Sequence, residues 1–151
     1  MQEAFGGILN IFLILIFLVI VEGILAFTVS YTKAFRMKNY VIATIEQYEG
    51  SGCFDDSGQS ACMQRIQNRA AHINYRPTVK INCPYGQESI ANLFCANPDG
   101  VSCASEGENS TQYRCYRIVT QVDINFPIVN KIMGLEFFQV SGETRTIRKP
   151  S

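Results

Sequence analysis

Between Phe5 and Ser30 only Asn10 and Glu22 are strongly polar; the other positions are chiefly Ile, Leu, Phe and Val. A bilayer hydrocarbon core of about 30 Å is crossed by about 20 apolar residues rising about 1.5 Å each, and this run exceeds that with margin for tilt. A helix buried in a small water-soluble core would be shorter. A cleavable signal peptide would show an apolar region of about 7–15 residues behind a basic start, whereas Met1-Gln2-Glu3-Ala4 contains no basic side chain. The segment therefore reads as an uncleaved transmembrane helix over residues 1–32, which makes the lipid bilayer the first expected partner.

The helix has no reason to stop at the membrane surface. Tyr31 to Tyr48 contains neither Gly nor Pro and carries apolar residues at Phe35, Val41, Ile42 and Ile45, so an extramembrane continuation is expected over residues 33–50, with Gly50 and Gly52 as the stop. Its apolar stripe should pack on the remaining domain, residues 51–151. Glu22 lies deep in the apolar run, where a charge costs at least about 2.5 kcal/mol. Its functional reading is a contact with a neighbouring membrane helix; its plain reading is a reach to headgroups or water. Gly6 and Gly7 would allow a close helix approach, but their spacing is not the small-xxx-small pattern.

Two arguments about orientation conflict. Lys33, Arg36 and Lys38 follow the apolar run and no Lys or Arg precedes it, which by the positive-inside bias would put the C-terminal domain in the cytoplasm. Against this, Cys53, Cys62, Cys83, Cys95, Cys103 and Cys115 all fall in the polar part, an even number in a region of modest length, as expected for disulfides in an oxidising compartment. The cysteine argument prevails, because dedicated insertion routes override the charge bias, and the domain is expected to be extracytoplasmic at the cell membrane. A zinc site is disfavoured: successive cysteines are 9, 21, 12, 8 and 12 apart, with no C-x-x-C and His72 as the single histidine. Of the connectivities open to six cysteines, the one that joins close or strand-adjacent partners is Cys53–Cys62, Cys95–Cys103 and Cys83–Cys115.

Within the domain, Met63, Ile66, Ala70 and Ile73 have helical spacing, so a short amphipathic helix is expected over Ala61 to Tyr75, ended by Pro77. Thr78 to Cys83 is a strand candidate, and Pro84 to Asn109, rich in Gly, Asn, Ser and Pro, reads as an irregular excursion. Tyr113 to Phe126 alternates, with Tyr116, Ile118, Thr120, Val122, Ile124 and Phe126 assigned to the core face. An apolar turn follows Pro127, and Glu136 to Ile147 is a last strand. The expected fold is α+β: a long N-terminal transmembrane helix continuing into a small disulfide-bonded domain with an antiparallel sheet.

Three features then carry a family resemblance: the acid within Val21-Glu22-Gly23, the uninterrupted continuation through Tyr31 to Gln47, and the Phe126-Pro127 turn followed by Phe137-Phe138-Gln139-Val140-Ser141. In these the chain resembles the TadE-like pseudopilins of tight-adherence (Flp-type) pilus systems and, more generally, the type IV pilin plan of a helical spine bearing a sheet. The resemblance implies a pilin-like fold and a role in pilus or secretion assembly, with other pilin-like or secretion-system membrane subunits as partners.

Other classes of function find little support. Lys plus Arg and Asp plus Glu balance at 13 each, and no basic stripe interleaved with aromatics suggests nucleic acid. No phosphate-binding glycine loop, nucleophile elbow or zinc-protease motif occurs, so no enzyme, cofactor or small-molecule substrate is expected, and His72 is assigned a structural or surface role. Asp55 and Asp56 lack the ligand spacing of a calcium loop, and Asn109-Ser110-Thr111 is a glycosylation sequon of the kind that arises by chance. The alternative function is a membrane-anchored extracellular binding module, with Pro84 to Asn109 as its ligand surface.

Overall fold

A computed structural model of the chain describes residues 2–55, 58–77, 80–101, 103, 113–123 and 137–148. One helix, α1, runs unbroken from Gln2 to Gln47, 46 residues, or about 70 Å at 1.5 Å per residue. Its end is built by two left-handed residues, Glu49 and Gly50, with φ of 51° and 76°. The Gly50 N–H returns 2.9 Å to the Ile45 carbonyl, the long-range bond of a Schellman cap. Gly50 is required twice over, since a Cβ there would stand 2.7 Å from the Tyr116 hydroxyl.

The second helix, α2, spans Ala61–His72. Ser60 caps its start, its hydroxyl accepting from the Met63 N–H at 3.2 Å. It stops short of Tyr75 because Asn74 takes a left-handed conformation, φ 51°, and Tyr75 N–H donates back to the Ala70 carbonyl at 2.9 Å. Asn tolerates that conformation better than most residues, so the helix ends there, ahead of Pro77.

Four strands form the main sheet: β1 (Glu88–Ile90), β2 (Phe94–Ala96), β4 (Arg117–Asp123) and β5 (Phe137–Glu143), in the order β1-β2-β4-β5 and antiparallel throughout. A second, two-stranded ladder pairs β3 (Tyr113–Arg114) with β6 (Ile147–Arg148). Each of the two long strands expected, Tyr113 to Phe126 from its alternation and Glu136 to Ile147, is thus divided. The first breaks because the Cys115 backbone is spent on Val101, exchanging bonds of 2.8 and 2.9 Å. The second breaks at Thr144, whose N–H and hydroxyl both bond the Tyr116 backbone.

Two further expectations need correction. The excursion from Pro84 contains the β1–β2 hairpin. Its turn has positive φ at both Ala91 and Asn92, with the Leu93 N–H on the Ile90 carbonyl at 2.9 Å, the geometry of a type I′ turn. In the strand candidate Thr78 to Cys83, the described residues 80–83 are not a strand; they cross the outer face of the sheet. The turn placed after Pro127, the Phe126-Pro127 pair, Asp56 and the sequon at Asn109 lie outside the described residues.

The core lies between the sheet and the second half of α1. Ala34, Met37, Val41 and Ile45, all fully buried, meet Ile118 and Val122 of β4, and Phe94, Met63 and Ile66 belong to the same cluster. The stripe differs from the expected one at Phe35, which is 41% exposed; its ring stacks with Tyr31 and lies under the Lys38 ammonium. Gly142 on β5 lets the sheet approach, because a Cβ there would lie 2.9 Å from the Ile42 side chain. Ile118, Thr120 and Val122 do face the core, but Val119 and Gln121 on the opposite face are buried too. Ile81, Cys83 and Cys95 cover Val119, and the Tyr75 hydroxyl bonds both the carbonyl and the N–H of Gln121 at 2.9 and 3.1 Å.

Candidate functional site

Among the described residues, no side chain in the first half of α1 is fully buried. Its apolar side chains from Ile8 to Ile20 are all exposed, as are Ile24, Leu25 and Val29. Among the described residues α1 is the one helix long and apolar enough to cross a membrane, and none of its most apolar window is buried. A soluble core helix would be covered; this one is bare, as a helix able to serve as a membrane anchor would be. Glu22 is exposed on the same stretch with no ion-pair partner among the described residues, and a Cβ on Gly6 or Gly7 would meet open space. Among the described residues this rod half is a surface without a partner, with Glu22 as the acid inside its apolar run.

Where the apolar half meets the domain, Phe27 makes an edge-to-face contact with Phe138 of β5, ring centroids 5.8 Å apart, and lies 6.2 Å from Tyr31. The sheet therefore reaches down α1 to the end of the apolar run, and rings of this kind suit a membrane–water boundary. On another side, α2 runs antiparallel to α1. Arg65 near its start donates to Gln47 at 2.8 Å, Arg69 lies over the Tyr40 ring, and His72 at its end shares a cavity with Lys33 and Arg36.

All six cysteines are paired, as Cys53–Cys62, Cys83–Cys95 and Cys103–Cys115. The first is the expected bridge, and it ties the loop after α1 to the first turn of α2. The other two differ from the expected Cys95–Cys103 and Cys83–Cys115. Cys95 pairs in register with Val119 and so projects onto the outer face, where the crossing segment 80–83 delivers Cys83. Cys115 is bridged through its backbone to Val101, which brings Cys103 alongside. The first two bridges thus fasten a segment of little regular structure to a regular element, and the third ties Cys103 to the break between β3 and β4, in a domain that buries a modest core.

Helix and domain are also joined by polar contacts that the sequence does not advertise. The Thr120 hydroxyl donates to the Ala34 carbonyl at 3.1 Å in the core, and a Glu46 carboxylate oxygen accepts from the Arg145 N–H at 2.8 Å. On the sheet, Arg117 pairs with Glu143 at 2.6 Å, both side chains being well exposed; cross-strand register places them opposite one another, and such pairs contribute little. Among the described residues no three His, Cys, Asp or Glu side chains converge on a point where a metal could sit. Every cysteine sulfur is committed to a disulfide, which leaves no thiolate to ligate or attack.

Comparison of the chain with protein-family models, with curated proteins and with solved structures finds no match.

Proposed function

We propose that the chain is a non-enzymatic, pseudopilin-like component of a tight-adherence pilus or secretion assembly. It is anchored by one membrane helix, with its disulfide-bonded domain outside the cytoplasm. The observation that carries the reading is the division of one continuous helix into two halves. The first is apolar and unpartnered; the second is the buried spine of an antiparallel sheet. In such a rod, force or position imposed on the membrane half passes directly to the domain. The bare half associates with other membrane helices, and Glu22 is the polar contact among them.

Replacing Glu22 by Leu tests this. In native membranes treated with a cross-linker, the wild-type chain should yield species containing neighbouring membrane subunits, and E22L should lose most of them while its domain keeps its stability. Equal cross-linking by both chains would favour the second reading, a tethered extracellular binding module. One observation supports that alternative: Tyr85 is fully exposed at the tip of a turn closed by the Gln87 N–H on the Pro84 carbonyl and braced by Cys83–Cys95.

A further inference from the structure

We infer that the cavity between α1 and the end of α2 binds the headgroup of an anionic phospholipid; the inference rests on the membrane-anchor reading. The cavity, about 430 Å³, is lined by Thr28, Thr32, Lys33, Arg36 and His72, with Val29 on the side toward the apolar run. Two elements distant in sequence therefore converge three nitrogen-bearing side chains on one space. Residues 23–45 of α1 and the whole of α2 contain no Asp or Glu, so the nearest acids along α1, Glu22 and Glu46, lie well away from Lys33 and Arg36, although the chain as a whole is neutral.

Depth supplies the second argument. Exposed apolar side chains run from Ile8 to Val29, about the 20 residues that fill a hydrocarbon core. Lys33 and Arg36 then stand about 6 and 10 Å beyond Val29 along the helix axis. The headgroup layer is about 5–8 Å deep on each side, and long basic side chains bend toward it.

The chemistry of the lining divides the headgroup. The Thr28 and Thr32 hydroxyls already donate to the Ile24 and Thr28 carbonyls, each at 2.8 Å, so they retain only acceptor capacity. The phosphate falls to Lys33, Arg36 and His72, and the threonine oxygens are left to accept from a headgroup hydroxyl. The end of α2 is softened toward an anion, because the Arg69, Ala71 and Ala70 carbonyls already accept from the N–H groups of Ile73, Asn74 and Tyr75. A glycerol-bearing anionic lipid fits this arrangement. Engagement with lipid phosphate also gives Lys33 and Arg36 a role on the disulfide side of the membrane, where a topology bias alone would not place them.

The test is made on the full chain reconstituted into bilayers of phosphatidylcholine alone and of phosphatidylcholine with phosphatidylglycerol. Flotation with the bilayers reports anchoring, and native mass spectrometry of the released protein counts retained lipids. Wild type should float with both compositions and retain one phosphatidylglycerol saturably. K33Q/R36Q should still float but lose selectivity for phosphatidylglycerol by about 25-fold, about fivefold for each cation. H72Q should show a smaller loss, and R65Q, at the far end of α2, none. Flotation with equal retention by wild type and K33Q/R36Q would overturn the inference and leave the anchor standing. A wild-type chain that floats with neither composition would remove the anchor, and the inference with it.

Discussion

Removing the Cys83–Cys95 bridge by the double substitution Cys83→Ala and Cys95→Ala should weaken the domain without changing its fold. The bridge closes a loop with a sequence separation of 12, and restriction of the unfolded chain by a loop of that size is worth about 3 kcal/mol. Alanine keeps each Cβ, and Ile81 and Val119 remain to cover the outer face, so the native state itself should lose little. With a urea slope of about 1–2 kcal/mol/M, the unfolding midpoint should fall by about 1.5–3 M. The assay is near-ultraviolet circular dichroism of the full chain in detergent, reading the buried rings of Tyr75 and Tyr116. The single variant Cys83→Ala makes the pairing itself testable. Its released thiol should be Cys95, fully buried, and should react with a maleimide only once the domain is unfolded. Recovery of the label on Cys115, or an unchanged midpoint in the double variant, would refute the pairing and the packing derived from it.

Three further outcomes follow from the same geometry. Met37→Ala should cost about 2–5 kcal/mol, as for other large buried side chains, whereas Phe35→Ala, on the 41% exposed neighbour, should stay within about 1 kcal/mol; thermal melts of both variants rank them. Gly50→Ala must adopt φ near 76° and place a Cβ 2.7 Å from the Tyr116 hydroxyl. It should lose at least about 1–2 kcal/mol, a fall of about 4–8 °C in melting temperature per kcal/mol. Tyr75→Phe removes both bonds to the Gln121 backbone and should cost about 1–3 kcal/mol, with faster amide exchange at Gln121 than in wild type.

What could be read from the sequence was set by the length of each signal. The apolar run and its continuation leave no competing structure, and α1 is indeed unbroken from Gln2 to Gln47. The spacing of Met63, Ile66 and Ala70 likewise located α2, and β4 showed its core face in Ile118, Thr120 and Val122. Short elements were hidden. The three-residue strands β1 and β2 are too brief to alternate, and their turn uses Ala91-Asn92 in place of the familiar Asn-Gly. Disulfide pairing depends on how 80–83 crosses the sheet, and local patterning cannot report a crossing. The lining of the headgroup cavity was visible only as scattered residues: His72 gained Lys33 and Arg36 as neighbours once α2 folded back along α1.

That folding back changes what the basic residues mean. Read along the chain, Lys33, Arg36 and Lys38 argue for a cytoplasmic domain. In the fold, Lys38 donates to the Ser141 carbonyl at 3.4 Å and caps the Phe35 ring, while Lys33 and Arg36 face the cavity that His72 closes. The position of Lys38 is accounted for by local contacts and those of Lys33 and Arg36 by the cavity they line, and three disulfides remain the stronger indicator of compartment.

The most direct test of the central claim, a lipid-embedded rod carrying an oxidised domain on the far side of the membrane, is cysteine accessibility in intact cells. A membrane-impermeant maleimide should leave the full-length chain unlabelled as isolated and should label it once a mild external reductant and denaturant open the disulfides, with no permeabilisation needed. Labelling that requires permeabilised cells and proceeds without reductant would place free thiols in the cytoplasm and contradict the account.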